Sequence, residues 1–569
     1  MEQIKYANNI CDAKNQIKDI ILSSYKKCVE DGQLTKCDLN DFTIEIPKDK
    51  THGEFAVNFA LVNSKILKDN PRSIGEKIFN NLSLDNTYFE KCEIAGPGFI
   101  NFFIGDKWFS DVIKTIFDQK EDFGKSNIGN NHKVMVEFVS ANPTGPMHIG
   151  NARGGALGDC LASVLSMAGY DVTREFYVND AGNQIEKFYQ SLKARYFQHF
   201  KGEKSYEFPE DGYHGSDITE RACQFANEYG DKFLNLPDEE LRNAIIPFAL
   251  EKNVQGLKED LARYRINYDV WFRESSLYKD GELDDTIKIL KDKGYLYEKD
   301  GAVYYKATDF GGEKDEVLIR SNGIPTYFAA DIAYHRNKFL IRGFDRVINI
   351  WGADHHGHVA RLKGAMDAIG LDGSRLDIVL MQLVRLTSNG EIVKVSKRTG
   401  KSISLSNLLD DISVDAARFF FNTREANTHL EFDMELAMEK SSENPVFYVQ
   451  YAHARICSVE KNLKADGINI HDYNNIDLSV LKKEEEKDLI KLLASMPDEV
   501  VASADSYDPS KMTKYVYNVA SAFHKFYNAC RIKGEEENLL KARLFLALCT
   551  RQVIKNVLVM LNIDAPESM

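Results

Sequence analysis

A turn between a predicted strand and a predicted helix holds the first residues that could do chemistry. His148 and Asn151 carry side-chain donors, and the helix that follows offers free backbone N–H groups and the positive end of its dipole. Pro143, Gly145 and Gly150 stiffen the turn and let a ligand approach the backbone closely. The pattern predicts a phosphate-binding turn, suited to the negative charge that develops on a nucleoside triphosphate.

Two common phosphate motifs do not account for this turn. No GxGxxG opens the helix, so a dinucleotide-binding fold has little support. Residues 400–402 are similar to the end of a P-loop, but Val395 stands where that loop needs its first glycine. The basic segment around Val395, taken alone, would be a surface loop.

The elements around the turn alternate as in a doubly wound α/β fold. Residues 134–139 form a mostly apolar strand, and residues 152–168 form a helix rich in small side chains. Later strands at 347–351 and 378–384 alternate with helical stretches. We therefore predict a parallel sheet covered by helices, with the turn at one end of a strand.

Three domains are expected around this sheet. A chain of 569 residues holds three or four domains at about 150 residues each. Strand-like segments at 42–46 and 99–104 predict a small α+β domain, and the sequence after residue 444 is helical almost throughout. The predicted domains are residues 1–110, residues 111–410 with a helical insertion near 190–290, and residues 411–569 as a junction and helical bundle.

Composition excludes several classes of protein. The longest apolar stretches fall short of the roughly 18 residues that a membrane span needs, and the charged start lacks the apolar core of a signal peptide. Nine scattered cysteines without a CxxC pair indicate reduced thiols and a cytosolic protein. The net charge of −14 shows no basic excess, so an RNA partner would be bound through local patches.

The phosphate-binding turn and the basic segment around Val395 together resemble the two signature motifs of the class I aminoacyl-tRNA synthetases. Residues 148–151 are similar to the HIGH motif, with Asn151 at its second histidine. Residues 394–398 are similar to the KMSKS motif, with Arg398 at its last serine, and about 250 residues lie between the two. Longer segments, at 136–146, 177–184 and 351–358, resemble the bacterial arginyl members, and the likeness covers essentially the whole chain.

This resemblance implies ATP-dependent ligation of L-arginine to its tRNA through an arginyl adenylate. Mg²⁺ would arrive with ATP, and no long coiled-coil pattern demands a dimer, so a monomer is expected. The resemblance also implies catalytic roles for His148, Asn151, Lys394 and Lys397. It implies ATP contacts from Pro143, Gly145, His148, Gly150, Asn151, Ser396 and Lys397. The alternatives are another class I synthetase and a non-catalytic RNA-binding relative.

A planar, five-donor guanidinium needs carboxylates and other acceptors in a fixed plane. Tyr327 and Asp331 are spaced i, i+4, so they share one face if that segment is helical; the alternative to a binding role is an exposed pair on the surface of that helix. By the resemblance, the arginine-binding residues are Glu137, Ser140, Asn142, Tyr327, Asp331 and His355. The residues Asp354, His355, His356 and His358 lack HExxH spacing and a cysteine partner, so we expect no protein-bound zinc there.

The C-terminal bundle resembles the anticodon-binding domain of this synthetase subclass. Residues 415–418 match its characteristic tetrapeptide in altered form. Single-stranded bases are read by aromatic stacking and hydrogen bonds to base edges, so Tyr451, Arg455 and Met569 are candidate tRNA contacts. The N-terminal domain resembles the one that meets the tRNA elbow in arginyl enzymes.

Overall fold

The fold is described from a computed structural model of the chain. The structure describes residue 6 and residues 8–388, 390–393, 403–472 and 474–569.

The N-terminal domain is an antiparallel sheet packed against helices. Its strands lie in the order β1-β2-β4-β3, and every neighbouring pair is antiparallel. The predicted strand at 99–104 is present in full, while only two residues of 42–46 pair. The elements are α1 (Asn9–Glu30), β1 (Ile44–Glu45), β2 (Phe55–Val57), α2 (Phe59–Leu67), α3 (Pro71–Asn80), β3 (Phe89–Ala95), β4 (Phe99–Ile104) and α4 (Asp106–Gln119).

The central domain is built on a five-stranded parallel sheet, as predicted. The elements up to its fifth strand are β5 (Lys133–Glu137), α5 (Ile149–Met167), β6 (Asp171–Val178), α6 (Asn183–Lys201), α7 (Ser216–Tyr229), α8 (Asp238–Arg263) and β7 (Val270–Arg273). The remaining elements are α9 (Glu274–Lys279), α10 (Glu282–Asp292), β8 (Leu296–Lys299), β9 (Ala302–Tyr305), β10 (Glu316–Ile319), α11 (Tyr327–Arg336), β11 (Arg346–Gly352), α12 (His356–Ile369), β12 (Leu376–Met381), β13 (Val384–Ser388), β14 (Glu391–Ile392) and α13 (Leu405–Asp411).

The strand order places the phosphate-binding turn at the switch point of the sheet. The order is β12-β11-β5-β6-β7, and every neighbouring pair is parallel. The chain leaves β5 toward β6 on one side and later returns to β11 on the other side. A crevice opens where such strands diverge, beyond their carboxyl ends, and this is where open α/β sheets bind ligands.

Alternating residues of β5 point into two separate cores. Val134 and Val136 pack into the larger hydrophobic cluster with α5, whereas Met135 packs into a second cluster that includes residues of α10, α11 and α12. Both faces of the sheet are therefore covered by helices, as the mostly apolar sequence of β5 requires.

Helix α5 packs very closely on the sheet because its sequence is rich in glycine and alanine. A Cβ atom added to Gly158 would lie 2.2 Å from the Cγ atom of Phe138, and one added to Gly155 would lie 2.8 Å from Ile266. The small side chains therefore let this helix lie close to the sheet.

The predicted helical insertion near 190–290 is wrong at its C-terminal end. Helices α6, α7 and α8 form a unit with a hydrophobic core of its own. Strand β7 lies inside the predicted range, however, and is the fifth strand of the parallel sheet. The strand is only four residues long, so the helical periodicity on both sides of it hides its short pattern.

The last part of the chain is a bundle of helices joined to the sheet domain by a short junction. Strand β15 (Leu430–Asp433) pairs with β13 and β13 pairs with β14, whereas β8, β9 and β10 form a separate antiparallel sheet. Across the described residues, no helix is both long enough and apolar enough to cross a membrane. The elements are α14 (Val414–Phe421), β15 (Leu430–Asp433), α15 (Met434–Met438), α16 (Pro445–Ala465), α17 (Glu484–Ala494), α18 (Met496–Asp505), α19 (Ser510–Ala529) and α20 (Glu537–Met560).

Candidate active site

The chain turns sharply as it leaves β5. Val139 and Ser140 have φ angles of 68° and 41°, in the left-handed region that a β-branched residue such as valine rarely adopts. The Ser140 Oγ atom donates to the Glu137 carboxylate at 3.1 Å and accepts the backbone N–H of Tyr177 at 3.1 Å. These bonds hold the strained turn and aim Ser140 at the gap between β5 and β6.

The predicted phosphate-binding residues lie at the start of α5. The backbone N–H of His148 donates to the Asn151 Oδ1 atom at 2.9 Å, so the amide nitrogen of Asn151 remains as a donor. His148 is exposed, and a Cβ atom added to Gly150 would meet no described atom of another element within 4 Å. The first turn of the helix is therefore open to a ligand.

The insertion and a distant segment both support this turn. The buried Pro143 carbonyl accepts a hydrogen bond of 2.8 Å from the Asn253 amide on α8. Ser404 pairs with His148 as an isolated bridge, and the Leu405 N–H donates to the Met147 carbonyl at 2.9 Å. The chain that follows residues 394–402 therefore begins beside the turn. The predicted residues Lys394, Ser396 and Lys397 themselves lie outside the described residues.

A pocket of about 400 Å³ opens beside the turn, at the carboxyl ends of β5 and β11. Five of the six residues predicted to bind arginine line it: Glu137, Ser140, Tyr327, Asp331 and His355. The sixth, Asn142, is exposed on the turn and is not part of this lining. Other lining residues are Val139, Tyr177, Tyr334, His335, Asn349, Ile350, Trp351, Gly352, His358 and Arg361.

The predicted helical spacing of Tyr327 and Asp331 is confirmed, because both lie on α11. Arg361 Nε donates to the Nδ1 atom of His358 at 2.6 Å, so this nitrogen is an acceptor. The Nε2 atom of His358 lies 2.9 Å from the Asp331 Oδ2 atom and carries the proton to it. One carboxylate oxygen of Asp331 is thereby held, whereas the other accepts no hydrogen bond from a described residue, and Asp331 lines the pocket.

A buried polar chain lies beneath Asp331. After α11 the helix continues as one π-helical turn, Asn337–Ile341, which carries the fully buried Lys338. Its ammonium donates to the Glu137 carboxylate and, at 3.2 Å, to the Asn349 Oδ1 atom. A π-helical turn of this kind is frequent at functional sites, and here it places a cation under the pocket.

His335 completes this chain as a neutral imidazole. Its Nε2 atom accepts from the Asn349 amide at 2.8 Å, and its Nδ1 atom donates to the Asp331 carbonyl at 2.8 Å. Burial holds the pKa of His335 well below its usual value, and the nearby Lys338 adds to this effect. The hydrogen bonds therefore link Glu137 to the backbone of Asp331, so the two carboxylates keep a fixed spacing.

Glu274 is a buried carboxyl near the pocket that no sequence pattern predicted. Burial raises the pKa of Glu274 to about 7, and the nearby Asp331 and Asp180 contribute to the rise, against the lowering effect of the Tyr177 and Tyr278 hydroxyls. It begins the six-residue helix α9, directly after β7, which was itself not predicted. A raised pKa beside a pocket is typical of a functional group that awaits a charged partner.

Lys338, Asn349 and His335 were also missed, because they are buried polar residues with no local pattern around them. His358 lies in a segment that was singled out, but as part of a rejected metal site. Among the described residues, no group of three His, Cys, Asp or Glu side chains could hold a metal ion.

Two of the candidate tRNA contacts form one surface cluster. Arg455 and Tyr451 lie one turn apart on α16, and Arg455 donates to the Tyr451 hydroxyl at 2.7 Å. The guanidinium also lies 4.6 Å from the centre of the Tyr451 ring and 5.2 Å from that of Tyr527. Met569 is exposed, three residues after Pro566, whose carbonyl accepts from His453 of the same helix at 2.8 Å.

Three family models match successive parts of the chain. The model described as Arginyl tRNA synthetase N terminal domain matches residues 15–104. The model described as tRNA synthetases class I (R), catalytic domain, matches residues 112–461. The DALR anticodon binding domain matches residues 449–569.

Curated relatives and a solved structure agree with these models. The arginine--tRNA ligases of Acetivibrio thermocellus and Ruminiclostridium cellulolyticum are each 56% identical to the chain, over 98% of it and 99% of the relative. The Thermus thermophilus arginyl-tRNA synthetase structure superimposes with a TM-score of 0.71 at 20% identity, over 98% of this chain and 100% of that one, which supports the fold. The chain therefore belongs to the arginyl family of the class I tRNA synthetases.

Proposed function

We propose that this protein ligates L-arginine to tRNA in two steps that consume ATP. The arginine carboxylate attacks the α-phosphate of ATP, which forms arginyl adenylate and releases pyrophosphate. A hydroxyl at the 3′ end of the tRNA then attacks the carbonyl carbon of the adenylate, and AMP leaves. The observation that carries this proposal is the acidic pocket beside an open helix N-terminus at the switch point of the sheet.

The pocket suits a guanidinium in charge and in shape. Asp331 lines the pocket with one oxygen held by His358 and the other without a hydrogen bond from a described residue, and Tyr327 lies on the same helical face. We propose that the guanidinium is bound by these two residues and by Glu274, whose raised pKa indicates a carboxyl that lacks a cationic partner. Glu137 is already paired with Lys338, so we assign it to the framework of the pocket.

Ser140, Asn142 and His355 are proposed to contact the amino acid near its reacting end. Ser140 is anchored between Glu137 and Tyr177 at the mouth of the pocket, whereas Asn142 is exposed on the turn that leads toward His148. His355 also lines the pocket and follows β11 in the chain. A substrate with its guanidinium at Asp331 would thus extend its carboxylate toward the start of α5.

The turn and the second basic segment are proposed to bind ATP. His148 and Asn151 would contact phosphate oxygens together with the N–H groups of the first helical turn, and Pro143, Gly145 and Gly150 shape the backbone there. Lys394, Ser396 and Lys397 would close over the phosphates. Lysine suits this role because a flexible point charge can follow the negative charge that moves to pyrophosphate. We propose that Mg²⁺ enters with ATP.

The helical bundle is proposed to read the tRNA. The exposed ring of Tyr451, fixed by Arg455, offers a stacking surface for an unpaired base, and Met569 lies on the tail that is bonded to the same helix. We also propose that the protein is a monomer and acts in the cytosol.

Pyrophosphate exchange into ATP tests the proposed reaction. The full chain would be assayed with each amino acid, with and without total tRNA. Exchange with arginine alone supports the proposal, and a requirement for tRNA would mean that RNA completes the site. Exchange with another amino acid would keep the chemistry and contradict the assigned pocket, and no exchange under any condition would favour an RNA-binding protein without this activity.

A further inference from the structure

Helix α5 contains a buried arginine close to the phosphate-binding turn. Arg153 is two residues after Asn151, and its side chain is fully buried. Its Nη1 atom donates to the Gln382 carbonyl at 2.7 Å, and its Nη2 atom donates to the Glu425 carbonyl at 2.9 Å. The Nε atom is also buried and has no hydrogen-bond partner among the described residues.

No described carboxylate balances the positive charge of Arg153. Both of its acceptors are neutral carbonyls, and no described carboxylate forms a salt bridge with it. Burial lowers the pKa of the guanidinium only to about 10, so it stays charged at neutral pH. The two other buried arginines with a comparable environment are paired: Arg418 with Asp159 and Arg543 with Glu486.

An unpaired buried cation is a poor way to stabilise a fold. The loss of hydration is large, and two neutral carbonyls return less energy than a carboxylate does. Its unsatisfied Nε–H adds a further cost. The arrangement is better explained if the charge acts, without direct contact, on an anion that binds at the nearby start of α5.

The carbonyls that bind Arg153 join α5 to the exit of the sheet. Gln382 directly follows β12, and its N–H donates to the Ala426 carbonyl at 2.9 Å, next to Glu425. Met381 packs over Gly154, with its methyl carbon 3.5 Å from where a Cβ would stand. The guanidinium therefore ties the second turn of α5 to the linker between β12 and β13 and to the loop between α14 and β15.

We infer that Arg153 is a positioning residue for adenylation, which fixes the start of α5 against this linker and adds its unbalanced charge to the positive end of the helix. This inference rests on the proposed function. A fixed charge in a water-poor environment stabilises negative charge without reorganisation, and this charge increases as pyrophosphate leaves. The side chain acts through α5 and does not itself contact the reacting atoms.

Two substitutions separate charge from structure. In Arg153→Gln the volume is largely kept and the charge is lost, whereas in Arg153→Lys the charge is kept. Arg346→Gln is the control, because Arg346 is a partly buried arginine at the opposite end of β11, paired with Asp377. Pyrophosphate exchange gives kcat and the KM for ATP, and thermal unfolding gives Tm, for each full-length variant.

We expect Arg153→Gln to lower kcat at least 30-fold with a KM for ATP within threefold of the parent. Arg153→Lys should regain most of this loss, and Arg346→Gln should change kcat less than twofold. Equal losses of kcat in the Gln and Lys variants, in step with their Tm, would overturn the inference. Should Arg153→Gln not fold, a folded Arg153→Lys with kcat lowered more than 30-fold would overturn it. A parent protein without exchange contradicts the proposed function instead.

Discussion

Asp331 shares its carboxylate between a protein donor and the open pocket. His358 holds one oxygen at 2.9 Å, and Arg361 sets the tautomer of that imidazole from its other side. This arrangement leaves a negative charge with fixed orientation, which a guanidinium can meet with a charge-assisted hydrogen bond to the oxygen that His358 does not hold. At this scale the recognition of arginine depends on charge and on hydrogen-bond geometry together.

Replacement of Asp331 by asparagine should weaken arginine binding steeply. A hydrogen bond to a charged group contributes about 1.5–3 kcal/mol, so the KM for arginine should rise roughly 10- to 100-fold. Kinetics of pyrophosphate exchange would measure it. Asp372→Asn, at an exposed carboxylate ahead of β12, is the matched control. An unchanged KM in Asp331→Asn would remove this residue from the pocket.

The protonation of Glu274 should make arginine binding depend on pH. Its folded-state pKa of about 7 is above the ordinary carboxyl value, so the group is mostly neutral below pH 7 and charged above it. A bound guanidinium favours the charged form, so the KM for arginine should fall roughly tenfold between pH 6 and pH 8. Glu274→Gln should have a flatter profile, and identical profiles for the two proteins would refute the assignment.

Helix α5 connects the phosphate-binding turn to the core of the sheet. Its close approach to β5 requires glycine at the point where Phe138 packs against it. The helix begins at the open turn, is tied by Arg153 in its second turn, and is paired to α14 through Asp159 and Arg418. The position of the turn is therefore set by contacts along the whole helix.

Addition of one methyl group should test this close packing. In Gly158→Ala the new Cβ would lie 2.2 Å from the Phe138 ring, so we expect a loss of about 1–3 kcal/mol and a lower Tm. Gly256→Ala on α8 is the control, since apart from the backbone of its own helix its Cβ would meet no described atom within 4 Å. That variant should be neutral or stabilised by up to about 1 kcal/mol. Similar Tm values for the two variants would contradict the packing argument.

The predicted domains share one hydrophobic core. The largest cluster contains residues of α4, of α5 and of the C-terminal bundle, and Cys549 of α20 donates to the Ile113 carbonyl at 3.3 Å. Lys491 of α17 also pairs with Glu54 of the N-terminal domain at 2.6 Å. The structure therefore joins both ends of the chain to the sheet.

Because of this shared core, the N-terminal domain and the bundle should unfold together. Ile113→Ala on α4 removes a fully buried side chain, which should cost about 2–5 kcal/mol. Calorimetry should show the common transition moved to lower temperature. A separate early transition for the N-terminal domain, with the rest unchanged, would show that the two regions are independent.

Local patterns in the sequence were sufficient to predict the parallel sheet, the turn before α5 and the helical spacing of Tyr327 and Asp331. Each of these depends on residues a few positions apart, through strand composition, the glycine and proline of a turn, or the i, i+4 spacing of a helix. Five of the six predicted pocket residues line the observed pocket, but apart from the spacing of Tyr327 and Asp331 they were predicted from the family resemblance and not from such patterns. Strand β7 was missed because four residues carry too short a pattern.

Only the tertiary structure decided which polar groups meet behind that pocket. Lys338 and Glu137 are 201 positions apart, and His358 and Asp331 are 27 apart in different helices. The pKa of Glu274 depends on burial and on the carboxylate of Asp331, and the unbalanced charge of Arg153 depends on which carbonyls surround it. Solvation and charge are properties of the folded environment, so no spacing within the chain could predict them.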